Sequence, residues 1–480
     1  MRPAALLAIA AAFVFLVVFW ITQPWVAGDT PFVLDGTNAF LTCLHNHDYS
    51  ACGYTGQLNY WGLMTAVGDW PLMQHVPDLI SIGLGADGHR ARTRVLELLS
   101  VAAVVASVAF AWLVFARVRQ RAWFWAFMLA LLSSPLLWYA RTTAAEALAT
   151  GLLVAFVAAT LLPAHPALVA VAAVWASWTK ETSYPFLLAL GVLGLVLAAR
   201  RTGTSVRWHL AGLAAGLAFG ITAASLFNVV RYGKVISPNF FEPKLHTPGV
   251  ARKLEYAAGV LVSPSGGMFV FWPVVSVLVL VACAVPFLRR RNADIRPALV
   301  ILAVILGLTI GFASWWTPFG WSAIGPRLAL PWGLPLLLLA LVAYGDALRP
   351  HAARLLASPW HVAVIFLVAL AFTLPNIGTT WRPNATGSGF FGQEHPPCDA
   401  PWRGGVEKWN RCQHRQMWLE RPMPLYALQG VATPGGAVTT VLVGLGLLGC
   451  LVLLRTELRS ARASARRPDE VRVPAVSPSS

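Results

Sequence analysis

The sequence predicts an all-α polytopic membrane protein of about twelve transmembrane helices, with short helices in its extracytoplasmic loops. Three observations predict it. Of the 480 residues, 57% are hydrophobic and 12% charged, about half the charged share of a soluble domain, so most side chains are not built to face water. Uncharged stretches long enough for a helix to cross a bilayer recur along the chain. The basic residues, 36 Lys and Arg against 20 Asp and Glu, gather in alternate connections between those stretches. That pattern explains the net charge of +16 by membrane orientation and removes the need for a nucleic-acid partner.

The first stretch, 4–22 (AALLAIAAAFVFLVVFWIT), is longer than a usual signal-peptide core, so a retained helix is expected rather than a cleaved leader. Further spans are expected at 95–116, 122–139, 142–162, 166–179 (short), 184–199, 208–230, 268–288, 297–314, 328–345, 360–377 and 436–454. With the N-terminus inside, Arg2, Arg117, Arg119, Arg121, Arg200, Arg201, Arg207, Arg289–Arg291, Arg296, Arg349, Arg354 and the tail from Arg455 all fall on the cytoplasmic side. Only the connection at Ala164-His165 lacks arginine. The outer segments are then 23–94, 140–141, 180–183, 231–267, 315–327 and 378–435, rich in Trp, Pro, Gly, Asn and His. This gives one multi-spanning domain over 1–455, with a first outer loop at 23–94 and a last one at 378–435. A basic tail, 456–480, is expected to be disordered in the cytoplasm against anionic headgroups.

Cys43 and Cys52 share the first outer loop, Cys398 and Cys412 the last, and Cys283 and Cys450 lie inside spans. Pairs confined to outer loops suit an oxidising compartment, so disulfides Cys43–Cys52 and Cys398–Cys412 are expected; cross-pairing between the loops stays open. Zinc binding by Cys43, His45, His47 and Cys52 is open on ligand type, though the spacing matches no common site.

The ionisable residues of the outer face carry whatever chemistry the protein performs. Asp29 follows the first span between Gly28 and Pro31, a turn context that holds a carboxylate at the headgroup plane, where it can serve as general base or metal ligand; the alternative is a helix cap for an amphipathic segment at 31–41. Asp35 lies six residues on and is the reserve. Asp48, Asp69, Asp78 and Asp87 read as solvated or capping residues. Arg141 and Glu146 flank the start of the fourth span, where ionisable groups are costly and therefore functional candidates; a structural Arg–Glu pair is the alternative. Lys180, in Trp178-Thr179-Lys180-Glu181, either snorkels or meets a phosphate. Arg327 closes the tryptophan-rich connection Trp315-Trp316 to Gly325-Pro326-Arg327, at a depth that suits capture of a lipid phosphate. The segment 231–267 adds Arg231, Lys234, Lys244, Arg252 and Lys253 on the outer side, against the positive-inside rule, which points to an anionic ligand.

Taken in order, Gly28-Asp29-Thr30-Pro31, Thr179-Lys180, Asn228 with Arg231-Tyr232-Gly233, Ser263-Pro264-Ser265-Gly266-Gly267 and Gly325-Pro326-Arg327 with Pro331 resemble the GT-C superfamily of polyprenyl-phosphate-sugar-dependent glycosyltransferases. The branch is that of protein O-mannosyltransferases and lipid A aminoarabinose transferases, and the resemblance covers about residues 1–345. It implies a GT-C-like fold and an inverting single displacement. A hexosyl or pentosyl group would pass from a polyprenyl-phosphate donor to a glycan, lipid or protein acceptor outside a bacterial plasma membrane. Asp29 would take the acceptor proton; Arg327, with Lys180 and Arg231, would stabilise the departing lipid phosphate. Thr30 stands where the commoner bacterial pattern has an acidic residue, which leaves a divalent metal, Mg or Mn, an open question. The competing expectations are a secondary transporter, a lipid-linked polysaccharide polymerase or ligase, and a non-catalytic scaffold. Polar residues gathered at one outer face rather than at mid-span weigh against the transporter.

Overall fold

Proline, glycine and charge punctuate the chain where the helices break. The computed structural model describes residues 3–21, 34–35, 37–38, 41–42, 45, 72–86, 88–140, 145–179, 183–203, 205–232, 234–236, 246–247, 249–264, 266–288, 294–315, 327–381, 405–419 and 428–465, apart from some side chains near helix ends. In chain order the helices are α1 (Pro3–Ile21), α2 (Leu72–Gly83), α3 (Gly88–Arg117), α4 (Arg121–Leu132), α5 (Leu136–Tyr139), α6 (Ala145–Leu161), α7 (Pro166–Ser177), α8 (Tyr184–Thr202) and α9 (Arg207–Tyr232). They continue as α10 (Val250–Val262), α11 (Met268–Phe271), α12 (Pro273–Leu288), α13 (Arg296–Ser314), α14 (Leu330–Leu355), α15 (Pro359–Trp381), α16 (Val406–His414) and α17 (Pro434–Ala465). Among the described residues, seven helices are long and apolar enough to cross a membrane and five more are shorter and apolar. Each of the twelve expected spans is helical, with 122–139 broken into α4 and α5 and 268–288 into α11 and α12, and the protein is an all-α polytopic membrane protein.

Local chemistry explains the boundaries. Proline at a first-turn position opens α7, α8, α13 and α14, where its missing N–H costs nothing. At the start of α7 His165 Nδ1 accepts from the Ala167 amide at 3.1 Å and completes the cap. Gly203, at φ 68, closes α8 in the left-handed conformation with its amide on Ala199 O. The last helix runs to Ala465, so the first residues of the segment expected as a tail are helical; 466–480 lie outside the described residues.

Apolar helices in lipid gain nothing from burying grease against grease, so close backbone approach and polar joints decide how they pack. On α9, Gly212, Gly216 and Gly220 form a stripe at four-residue spacing against α7: a Cβ on Gly216 would lie 2.3 Å from Ala170 O, and one on Gly212 2.4 Å from Pro166 O. α14 is the enclosed centre, with Leu334 and Leu337–Val342 fully buried, in contact with α4, α6, α8, α12 and α13. Joints within the bundle satisfy backbone groups freed by helix breaks, which lipid cannot do. Asn376 of α15 donates through Nδ2 to Ser133 O and Phe271 O, both at 3.1 Å, at the ends of α4 and α11, and Trp272 Nε1 donates to Ala130 O at 2.8 Å. The outside of the bundle is apolar, for example Phe219 at 65% and Leu306 at 60% exposure, as lipid-facing helices require.

The connections that the sequence sets inside gather at one end. Arg200 pairs with Asp294 and Arg201 with Asp346 at 3.2 Å, Tyr344 links Asp294 O to the Ala298 amide, and Arg455 and Arg459 both donate to Ala357 O. Those arginines therefore cap carbonyls and tie helices together. The Asp294 carboxyl is held below its ordinary range, first by the Arg296 backbone amide and also by Arg200.

Candidate functional site

At the opposite end, residues from the outer segments converge. Thr247 donates its amide to Ser314 O at 2.9 Å and its hydroxyl to Trp315 O at 2.9 Å, so the 231–267 segment folds back on the end of α13. From there α10 meets α16: the Tyr256 hydroxyl donates to Asn410 Oδ1 at 3.1 Å, and Ser263 Oγ to Met417 O at 2.9 Å. Glu255 bridges Arg252 (2.5 Å) and His414 (2.5 Å) beside them. Burial, reinforced by the charge of Glu255, pushes the Tyr256 phenol above its ordinary range. The Ser-Pro-Ser-Gly-Gly run is the turn from α10 into α11, where Gly267 N bonds Ser263 O at 2.8 Å and a Cβ on Gly267 would lie 2.6 Å from the Ser263 amide nitrogen. Its glycine is dictated by that close turn.

The centre of the candidate site is an ion pair. Arg327, in the turn entering α14, donates through Nε to Glu146 Oε1 at 2.5 Å. Glu146 stands in the first turn of α6, and both side chains are largely enclosed, 13% and 9% exposed. Among the described residues nothing donates to the second carboxylate oxygen, Glu146 Oε2, which is buried. Two residues singled out separately in the sequence are thus one unit, and among the described residues the partner of Glu146 is Arg327; Arg141, the partner expected as the alternative, lies outside the described residues.

A second buried pair orders the first outer loop. Arg92 of α3 donates Nε to Asp78 Oδ1 at 2.7 Å, pairs through Nη2 with Asp78 Oδ2, and reaches Asn38 Oδ1 (2.7 Å) and Leu34 O (3.1 Å). Arg92 and Asp78 are buried, so Asp78 is neither solvated nor a cap; the expectation for it was wrong. No rule of spacing links Asp78 to Arg92 across the turn at Gly85. The available signal was an aspartate inside the amphipathic run Val76-Pro77-Asp78-Leu79-Ile80. The described residues between 34 and 45 are helical, in line with the amphipathic segment expected at 31–41. Asp35, one residue from Leu34, is exposed and lies 3.4 Å from His89.

Several candidates fall elsewhere. Asp29, Arg141, Lys180, Cys43, Cys52 and Cys398 lie outside the described residues, and Arg231 is described only as backbone in the last turn of α9. Cys412 is disulfide-bonded with its partner outside the described residues, so neither expected pairing is settled; Cys283 and Cys450 are free and buried in spans. Among the described residues no group of three His, Cys, Asp or Glu side chains is placed to hold a metal ion.

Two solved structures align with most of the chain. Both are of ArnT from Cupriavidus metallidurans, each covering 96% of this chain and 78% of its own. The apo state aligns at 18% identity with a TM-score of 0.47, and the form bound to undecaprenyl phosphate at 16% with a TM-score of 0.44. No family model and no curated protein matches the chain.

Proposed function

We propose that this protein is an integral membrane glycosyltransferase that moves a sugar from a polyprenyl-phosphate donor to an extracytoplasmic acceptor. The observation that carries the proposal is the enclosed Arg327–Glu146 pair at the end of the bundle away from the arginine-rich connections. A guanidinium there, fixed by a carboxylate through Nε, suits an oxyanion at the membrane surface. The ordered motifs from Gly28-Asp29 to Gly325-Pro326-Arg327 support the same assignment, as does the collection of polar side chains at that one end.

In the proposed reaction an acceptor hydroxyl attacks the anomeric carbon, its O–H proton passes to Asp29, and the C–O bond to the lipid phosphate breaks with inversion. The products are the glycoside and polyprenyl phosphate. Arg327, with Lys180 and Arg231, stabilises the charge on the leaving phosphate; because that group leaves readily, the protein's contribution is a base, cations and positioning.

Binding of sugar-free polyprenyl phosphate to the purified protein in lipid nanodiscs tests the proposal. Wild type should bind, and Arg327→Ala should bind about tenfold or more weakly, the loss expected for a charge-assisted hydrogen bond. Equal binding by both proteins would remove Arg327 from the site.

A further inference from the structure

Glu146 spends only one of its two carboxylate oxygens on Arg327 among the described residues. Its Oε1 is fixed on the Arg327 Nε at 2.5 Å, the residue is only 7% exposed, and among the described residues Oε2 accepts nothing. The nearby Thr150 hydroxyl is spent on the backbone carbonyl of Glu146. Buried acceptors are rarely left empty, because the desolvation of the group is not recovered. An enclosed carboxylate oxygen with its charge already compensated wants a donor, and that donor need not be a cation.

We propose that Glu146 Oε2 accepts a hydrogen bond from a ring hydroxyl of the donor's sugar, next to the phosphate that Arg327 holds, so that Glu146 distinguishes sugar-loaded from spent carrier. The inference rests on the glycosyltransferase assignment. An anion site and a hydroxyl-acceptor site separated by one salt bridge match a glycosyl phosphate, in which phosphate and hydroxyls sit on neighbouring ring carbons. The same carboxylate works against the product. The loaded donor is a phosphodiester of single negative charge, whereas the spent carrier is a monoester that gains a second charge near neutral pH. Once the sugar has left, Oε2 has lost its partner and Glu146 repels the more negative phosphate, which favours release.

The test compares two affinities in nanodiscs: that for a polyprenyl-phosphate sugar and that for polyprenyl phosphate, in wild type and in Glu146→Gln. Glutamine keeps an oxygen for Arg327 Nε but offers an amide in place of Oε2 and carries no charge. Wild type should prefer the loaded lipid, and the preference should fall about tenfold or more in Glu146→Gln through weaker donor binding and unchanged or tighter binding of the spent lipid. A series of ring-deoxy donors on unmodified wild type gives a readout free of any folding defect: one deoxy position should lose about the same factor, and that loss should vanish in Glu146→Gln. An unchanged preference in Glu146→Gln, or no deoxy position that weakens wild-type binding, overturns the proposal and leaves Oε2 to a bound water. Failure of wild type to bind either lipid is a different outcome, which overturns the glycosyltransferase assignment itself.

Discussion

Arg327 and Glu146 stand 181 residues apart in the chain and 2.5 Å apart in space, and their pairing couples the entry of α14 to the start of α6. A buried ion pair is a poor source of stability, since the cost of drying both charges offsets their attraction. Losing one partner is another matter, because the survivor is left uncompensated.

Glu146→Ala should therefore lower stability by about 3–5 kcal/mol, read as a fall in the thermal midpoint in detergent, whereas Glu146→Gln should cost less because an oxygen still meets Arg327 Nε. Arg327→Lys should retain the charge, lose the Nε geometry and weaken lipid-phosphate binding. Equal midpoints for Glu146→Ala and wild type would show the pair to be incidental.

The Arg92–Asp78 lock joins α2 to α3 and to the segment at Leu34 and Asn38, with four hydrogen bonds from one guanidinium. Arg92→Ala strands the buried Asp78 carboxylate and should cost about 3–5 kcal/mol. Adding Asp78→Ala removes the stranded charge and should restore part of that loss. The midpoints of the two single variants and the double variant measure the coupling, and additive losses would contradict it.

Tyr256→Phe removes the phenol that donates to the buried Asn410 Oδ1 and should cost about 1–3 kcal/mol. The pH dependence has a definite sign. Burial raises the phenol's pKa in the folded protein, so its contribution is complete below the unfolded value of about 10 and is lost as pH rises through the higher folded value. Wild type should lose stability at alkaline pH more steeply than Tyr256→Phe; parallel curves would contradict this.

The glycine stripe of α9 is a steric prediction. Gly216→Leu should push α9 off α7, where the backbone of Ala170 leaves no room, at a cost of about 1–3 kcal/mol or more. Gly311→Leu on α13 is the control, since a Cβ there meets nothing within 4 Å. Similar midpoints for the two variants would argue against close packing at Gly216.

Spans were legible because transfer of apolar residues into lipid is a property of the local sequence alone: each expected stretch from 4–22 to 436–454 is helical, although 122–139 and 268–288 are each broken into two helices. Arg327 and Glu146 were legible one at a time, since a charge at the edge of a span is conspicuous, but their partnership was not, because it depends on α6 and α14 being neighbours. The lock at Arg92 was missed for the same reason. Asp78 reads as a loop aspartate until α2 folds onto α3 and brings Leu34 and Asn38 against it. The glycines at 212, 216 and 220 carry a legible signal, small residues at four-residue spacing, that marks the contact with α7.

The most direct test of the central claim is transfer of radiolabelled sugar from a panel of synthetic polyprenyl-phosphate sugars by purified wild type and Asp29→Asn. Wild type should turn over at least one donor, and Asp29→Asn should lose that turnover while keeping donor binding. Turnover that survives Asp29→Asn would move the base elsewhere, with Asp35 next in line, and no turnover or donor binding across the whole panel would contradict the assignment of a glycosyltransferase.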